Sequence, residues 1–246
     1  MSDNFYIPPD CIHNRQFQVS GEQARHIAAV LRYKAGDTLA VFDGQGHRYK
    51  AVLGAVTSRE VKGELVAELP DNNECRIAIT LACALLKKDR FEWLLEKAVE
   101  LGANTIIPVL TERTIVKVDK KNKGHKLARW NKIALEAAQQ SLRSVLPMVQ
   151  EPLELGPVLR KALDHSLALV PCMTEKGNAI RSLEKELTTV RSVLILIGPE
   201  GGFTPGEVEQ AITAMARPVT LGRRRLRSET AALAALQAVR EAARDF

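Results

Sequence analysis

Apolar and polar positions follow two different rhythms along the chain. In residues 1–70 the apolar runs are short and separated by turns. Thr38–Asp43 reads as a short apolar strand, Asp43-Gly44-Gln45-Gly46 as a turn, and Tyr49–Val56 as the return strand. Val61–Leu69 alternates apolar and polar, the period of a half-buried strand. One helix interrupts this region: Ser20 and Gln23 stand at capping-box spacing before Ala24, Ile27, Ala28 and Leu31 at helical spacing. Pro70-Asp71-Asn72-Asn73-Glu74 is a polar break and a domain boundary.

Beyond the break, strands alternate with helices. Ile77–Leu85 is an apolar strand. A helix follows from about Asp89 to Leu101, with Trp93, Leu94, Ala98 and Leu101 turned inward and Gly102 as its stop. Thr105–Val109 is a strand, and Trp130–Leu142 and Val158–Leu163 are helical. Leu167–Val170 and Val193–Ile197 are wholly apolar, as strands buried on both faces are. Thr204-Pro205-Gly206-Glu207 is a capping box with proline at the first helical position. Val219–Leu221 is the last strand, and Ser228 caps a closing helix to about Arg244, whose apolar residues (Ala231, Ala232, Leu233, Ala235, Leu236, Val239) are read as core, with a dimer face as the alternative. The alternation predicts an α/β domain with a mostly parallel sheet.

Composition narrows the classes. With 246 residues and 46% hydrophobic content, the chain can bury a real core, and wholesale disorder is excluded. The longest near-apolar run, Ile77–Leu86, is half the roughly 20 residues of a membrane span. Residues 1–10 lack the basic start and apolar stretch of a secretory signal. Four scattered cysteines (Cys11, Cys75, Cys83, Cys172), without a Cys-x-x-Cys pair, read as reduced buried thiols of a cytoplasmic protein. The five histidines are dispersed, so no metal site is predicted.

The net charge of +6 is unevenly placed. Residues 1–70 carry eight basic and eight acidic residues, so the excess lies beyond them. Arg113–Lys132 holds eight basic residues (among them Lys117, Lys120, Lys121 and Arg129) against one acid, Asp119. Arg223, Arg224, Arg225 and Arg227 form a second cluster. Two such clusters point to a polyanion such as nucleic acid. At 4% aromatic content, stacking on single-stranded bases is not the expected binding mode.

The candidate chemistry sits in two loops at the ends of predicted strands, where open parallel sheets bind ligands. The first is Ile197-Gly198-Pro199-Glu200-Gly201-Gly202-Phe203, with three glycines and a proline in six residues. Such a loop presents main-chain groups to a ligand that carries few charges of its own. It is neither a P-loop nor Gly-x-Gly-x-x-Gly. The second, Leu221 to Ala231, leaves a strand and enters a helix N-terminus, where anions and carboxylates are favoured. Glu229 stands in that first turn.

GPEGGF at 198–203, LG at 221–222 and LRSETA at 226–231 together resemble the RsmE family of ribosomal RNA methyltransferases, of the SPOUT class. The resemblance extends to Lys88-Asp89-Arg90, Lys97, Glu100-Leu101-Gly102, Glu112-Arg113, Arg129-Trp130, Glu136-Ala137-Ala138, Gln140-Ser141, Arg143 and Pro147. Two departures stand in the second loop: Arg225 occupies a usually apolar position, and Arg223 one where proline is frequent. Gln139 stands where an acid is common.

The resemblance implies a PUA-like β-barrel that holds RNA over residues 1–70. It implies a SPOUT methyltransferase domain with a deep trefoil knot over residues 74–246. S-adenosyl-L-methionine would sit among Leu196, Ile197, Gly198, Pro199, Glu200, Gly201, Gly202, Leu221, Gly222, Leu226 and Arg227. Lys88, Arg90, Arg113, Lys117, Arg129, Gln140 and Arg143 would face RNA. The implied reaction is methylation of N3 of a uridine in the decoding region of 16S rRNA, in the assembled small subunit, by a homodimer. Arg227 and Arg224 would stabilise the uridine anion, and Glu229 would act as a base or, as the favoured reading, orient Arg227 through an ion pair. A tRNA ribose 2′-O-methyltransferase is the competing reading within the class. An RNA-binding or ribosome-assembly factor without catalysis is the one outside it.

Overall fold

The structure, a computed structural model, describes residues 4–70, 73–116, 123–173 and 178–245. The chain forms two compact units: Met1–Glu74 with Ala138–Leu146, and Cys75–Ala137 with Pro147–Phe246. No sequence pattern signals that residues 138–146 belong with the first unit.

The first unit holds β1 (Asn4–Tyr6), β2 (Ile12–His13), β3 (Gln16–Ser20), α1 (Gly21–Arg25), β4 (Thr38–Phe42), β5 (Arg48–Val56) and β6 (Glu60–Leu69). They form one six-stranded sheet of order β1-β4-β5-β6-β3-β2, antiparallel except for β1 beside β4. The alternation read for β6 buries Val61 and Leu65, which join Phe5, Ile7, Phe17 and Val41 in one cluster. The expected capping box is absent. Ser20 makes no side-chain cap, and the Gln23 amide donates instead to the Tyr6 carbonyl, tying α1 to β1. The helix continues as a π turn, His26–Val30.

Glu74 fastens the returning segment. Its carboxylate accepts from Arg143 Nη2 at 2.8 Å, the Ser144 amide at 2.9 Å and the Val145 amide at 3.0 Å. Asn4 Nδ2 donates to the Arg143 carbonyl at 2.9 Å. Burial pushes the Glu74 carboxyl up, but the Arg143 guanidinium and the two amides outweigh it and hold it below its ordinary value.

The second unit carries β7 (Ala78–Ala84), α2 (Arg90–Glu100), β8 (Ala103–Leu110), α3 (Lys123–Gln140), β9 (Met148–Val149), β10 (Leu153–Glu154), α4 (Leu155–Ala162), β11 (Leu167–Pro171), β12 (Asn178–Ala179), α5 (Glu184–Leu187), β13 (Ser192–Ile197), α6 (Pro205–Thr213), β14 (Ala216–Thr220) and α7 (Ser228–Ala243). The last turn of α3, from Ala138, belongs to the first unit. The sheet runs β10-β8-β7-β13-β11-β14-β12, with β9 also on β8, and every pairing is parallel. This is the α/β architecture that the strand–helix alternation predicts.

The wholly apolar strands are buried as expected: Val193 to Ile197 are all inaccessible or nearly so. Leu194 and Leu196 pack with α4 and α6, while α7 lies against α2, β7 and β13. Ala232, Ala235, Leu236 and Val239 of α7 are fully buried, in line with the core reading of that helix. Trp93 corrects the helical phase read for α2. It is 47% exposed, and the buried stripe is Phe91, Leu94, Leu95, Ala98 and Val99, a complete i, i+3, i+4, i+7, i+8 face. The aromatic that packs inward is Phe91, 4.9 Å from the Trp130 ring. Of the four cysteines read as buried thiols, the structure buries Cys83 alone.

Candidate active site

The carboxyl ends of β13 and β14 deliver the two loops. Ile197 of β13 pairs with Cys83 of β7, so the glycine loop leaves the middle of a buried sheet. It can turn only because position 198 is glycine: a Cβ there would stand 2.8 Å from the Phe203 amide nitrogen. The Gly202 amide donates to the Pro199 carbonyl at 2.8 Å and closes the turn. The capping box read from Thr204 to Glu207 is formed. The Glu207 amide donates to Thr204 Oγ1 at 3.2 Å, and the Thr204 amide donates to Glu207 Oε2 at 2.8 Å. The other Glu207 oxygen accepts from the Glu112 amide at 2.9 Å, so one buried carboxylate also ties the chain after β8 to α6.

In the second loop Gly222 takes φ +111°, a conformation that side chains disfavour, and its amide donates to Thr220 Oγ1 at 3.2 Å. The N-cap of α7 is Arg227, not Ser228; no side chain caps the helix, and Ser228 is its first residue. Ser228 lines the cavity described next.

The two loops enclose a cavity of about 630 Å³, within the range of small-molecule sites. Of the residues expected around a cofactor, Ile197, Gly198, Pro199, Glu200, Gly201, Gly202, Leu221, Gly222 and Leu226 line it, and so does Arg224. Leu196 is sealed in the core one residue behind, its side chain packed against the α4–α6 cluster. Arg227 and Glu229 lie outside the lining. Sequence reasoning missed Pro171, the last residue of β11, with Cys172 and Met173 directly after it; Phe203, read into the loop but not among the cofactor contacts, also lines the cavity. The position of 171–173 at the end of a wholly apolar strand was the one available signal.

The expected Arg227–Glu229 pair is not formed. Arg227 is exposed, whereas Glu229 is 9% exposed and its Oε2 is buried without a hydrogen-bond partner. The Glu229 charge falls instead toward Cys83, whose thiol is pushed up first by burial and then by Glu229 and Glu200.

The basic candidates separate. Arg143 is corrected as a phosphate contact: its side chain is 3% exposed and committed to Glu74. Arg129 pairs with Glu92 at 2.6 Å, joining α3 to α2. Arg113 donates to the Gly201 carbonyl at 2.7 Å, and Arg90 stands 3.6 Å from the Glu200 carboxylate. Lys88, at φ +56°, and Gln140 are exposed. Lys117, with Asp119, Lys120 and Lys121, lies outside the described residues. Among the described residues, no group of three or more His, Cys, Asp or Glu could hold a metal ion.

The RNA methyltransferase domain family matches residues 73–240, and the RNA methyltransferase PUA domain family matches residues 19–66. Ribosomal RNA small subunit methyltransferase E of Bacillus subtilis is 35% identical over 91% of this chain and 89% of its own length. That of Synechocystis is 33% identical over 96% of this chain and 76% of its own length. A methyltransferase from Legionella pneumophila, solved with bound SAM, superposes with a TM-score of 0.88 at 30% identity, covering 98% of both chains. Ribosomal RNA small subunit methyltransferase E from Neisseria gonorrhoeae, solved with S-adenosylmethionine, superposes at 0.82 with 31% identity and the same coverage. Fold and loops thus define the class as an RNA methyltransferase with a PUA domain. The chain belongs to the ribosomal RNA small subunit methyltransferase E family, as the motifs of its two loops led us to expect.

Proposed function

We propose that the chain transfers the methyl group of S-adenosylmethionine to N3 of a uridine in the decoding region of 16S rRNA. We further propose that it acts on the assembled small subunit, in the cytoplasm, as a homodimer. The carrying observation is the cavity between the loops after β13 and β14, in a chain 30–31% identical over 98% of its length to structures solved with this cofactor. The trefoil knot belongs to the same reading, supported by the non-sequential strand order β7-β13-β11-β14. Among the described residues no helix is long and apolar enough to cross a membrane.

The residues fit the cofactor. Ile197, Leu221, Leu226 and Phe203 would supply apolar walls for the purine and the methylene groups, and the glycine loop would offer main-chain groups to the polar edges. When bound, the cofactor supplies an electrophilic methyl group. The protein orients the base and stabilises charge. Loss of the N3 proton to a base gives an anion whose charge spreads over N3 and the flanking carbonyl oxygens; the new N–C bond then replaces the S–C bond of the sulfonium, which would leave as a neutral thioether. Arg224, in the cavity wall, and Arg227, exposed directly after the lining residue Leu226, are the guanidiniums assigned to those oxygens. Glu229 cannot orient Arg227 in the geometry described above. Its Oε2 is buried without a hydrogen-bond partner.

The test is methyl transfer from labelled cofactor to unmodified small subunits, naked 16S rRNA and tRNA, with nucleoside analysis by mass spectrometry. 3-Methyluridine from the subunit, with none from tRNA, is expected; a ribose-methylated product overturns the assignment. Arg227→Ala is expected to lower turnover by about 100-fold while cofactor binding persists.

A further inference from the structure

Three arginines from three segments converge on two consecutive residues of the glycine loop. Arg113, following β8, donates Nη1 to the Gly201 carbonyl at 2.7 Å. Arg225, following β14, donates Nη2 to the Glu200 carbonyl at 3.4 Å. Arg90, at the start of α2, places Nη1 3.6 Å from the Glu200 carboxylate. The Arg113 stem also packs against the loop: a Cβ at Gly201 would come within 3.2 Å of its Cδ.

Main-chain carbonyls are acceptors that no side chain of the loop itself satisfies, and guanidinium hydrogen bonds to them are charge-assisted. Arg113, itself exposed, commits Nη1 to the Gly201 carbonyl and lines the cavity. Arg225, one of the two departures from the family pattern, adds a second bond one residue away. We infer that Arg113, assisted by Arg225, is a positioning residue: it holds the Glu200–Gly201 turn in the shape that receives the cofactor, and its partner is this loop and not RNA. The inference rests on reading the cavity as the S-adenosylmethionine site.

The experiment uses the full chain as wild type, Arg113→Met, Arg113→Lys and Arg225→Leu, each checked for an unchanged thermal midpoint. S-adenosylmethionine affinity is measured by calorimetry, and binding of naked 16S rRNA is measured across a salt series. Losing the charge-assisted bond in Arg113→Met is expected to weaken cofactor binding about ten-fold. Arg113→Lys is expected to recover part of that loss, and Arg225→Leu to cost about two-fold, as suits its longer bond. The slope of log RNA affinity against log salt stays at the wild-type value. A slope shallower by about one, the signature of a lost phosphate contact, overturns the inference. Unchanged cofactor affinity in Arg113→Met, with wild type binding normally, overturns it as well. Failure of wild type to bind the cofactor overturns the reading of the cavity and this inference with it.

Discussion

The turn at Leu142–Leu146 and the loop at Gly198–Gly202 are both held by arginine, in opposite ways. In the first, the half-buried carboxylate of Glu74 gathers two amides and the guanidinium of Arg143, whose side chain is 3% exposed. In the second, exposed guanidiniums reach main-chain carbonyls, and the anchoring carboxylate, Glu207, sits just beyond the loop in the first turn of α6. A sealed ion pair fixes a segment and is severe to break, because one partner is left as an uncompensated buried charge. An exposed clamp shapes a segment and leaves its surface accessible to a ligand. The same residue type serves architecture in one unit and the cavity wall in the other.

Breaking the sealed pair gives the largest effect. Glu74→Gln strands the Arg143 charge and is expected to cost about 3 kcal/mol in denaturant unfolding, with cofactor affinity unchanged. The same group sets a pH dependence. Its folded value lies below its ordinary 4.5, so its contribution is complete above that value and is lost as pH falls through the folded value. Unfolding midpoints of wild type and Glu74→Gln should therefore converge as the pH is lowered below 4.5.

Glu207→Gln comes next. It turns an amide NH₂ toward the Thr204 or Glu112 amide, at a cost of about 2 kcal/mol, read by the same unfolding curves. Unlike Glu74→Gln, it should also weaken cofactor binding, because it frees the end of the glycine loop. Gly198→Ala sharpens the contrast from the other side. Its Cβ meets the Phe203 amide, so the loop must shift. Cofactor affinity should fall about ten-fold, or 1.4 kcal/mol, while global stability changes less than in either carboxylate variant.

The sequence is most legible where one local rule decides the outcome. The apolar strands of the parallel sheet, the Thr204 capping box and the glycine loop each follow from a few adjacent residues. It is least legible where partners are remote. Glu74 and Arg143 are 69 residues apart, and nothing local to either announces the other. Ser20 and Gln23 have the right spacing for a cap, yet a carbonyl 17 residues away takes the Gln23 amide. Arg227 and Glu229 are neighbours in sequence, but the start of α7 turns one outward and buries the other. Trp93 shows the same limit for packing, since Phe91 completes the buried stripe and leaves Trp93 outside it.

Glu207 has a consequence for the thermodynamics of recognition. Only seven residues, Gly198 to Thr204, separate the buried end of β13 from the first turn of α6, and both ends of that bridge are pinned by backbone hydrogen bonds and one shared carboxylate. A tether so short and so firmly moored samples few shapes. A ligand entering between the loops therefore freezes little that was moving, and most of its contact energy survives as affinity.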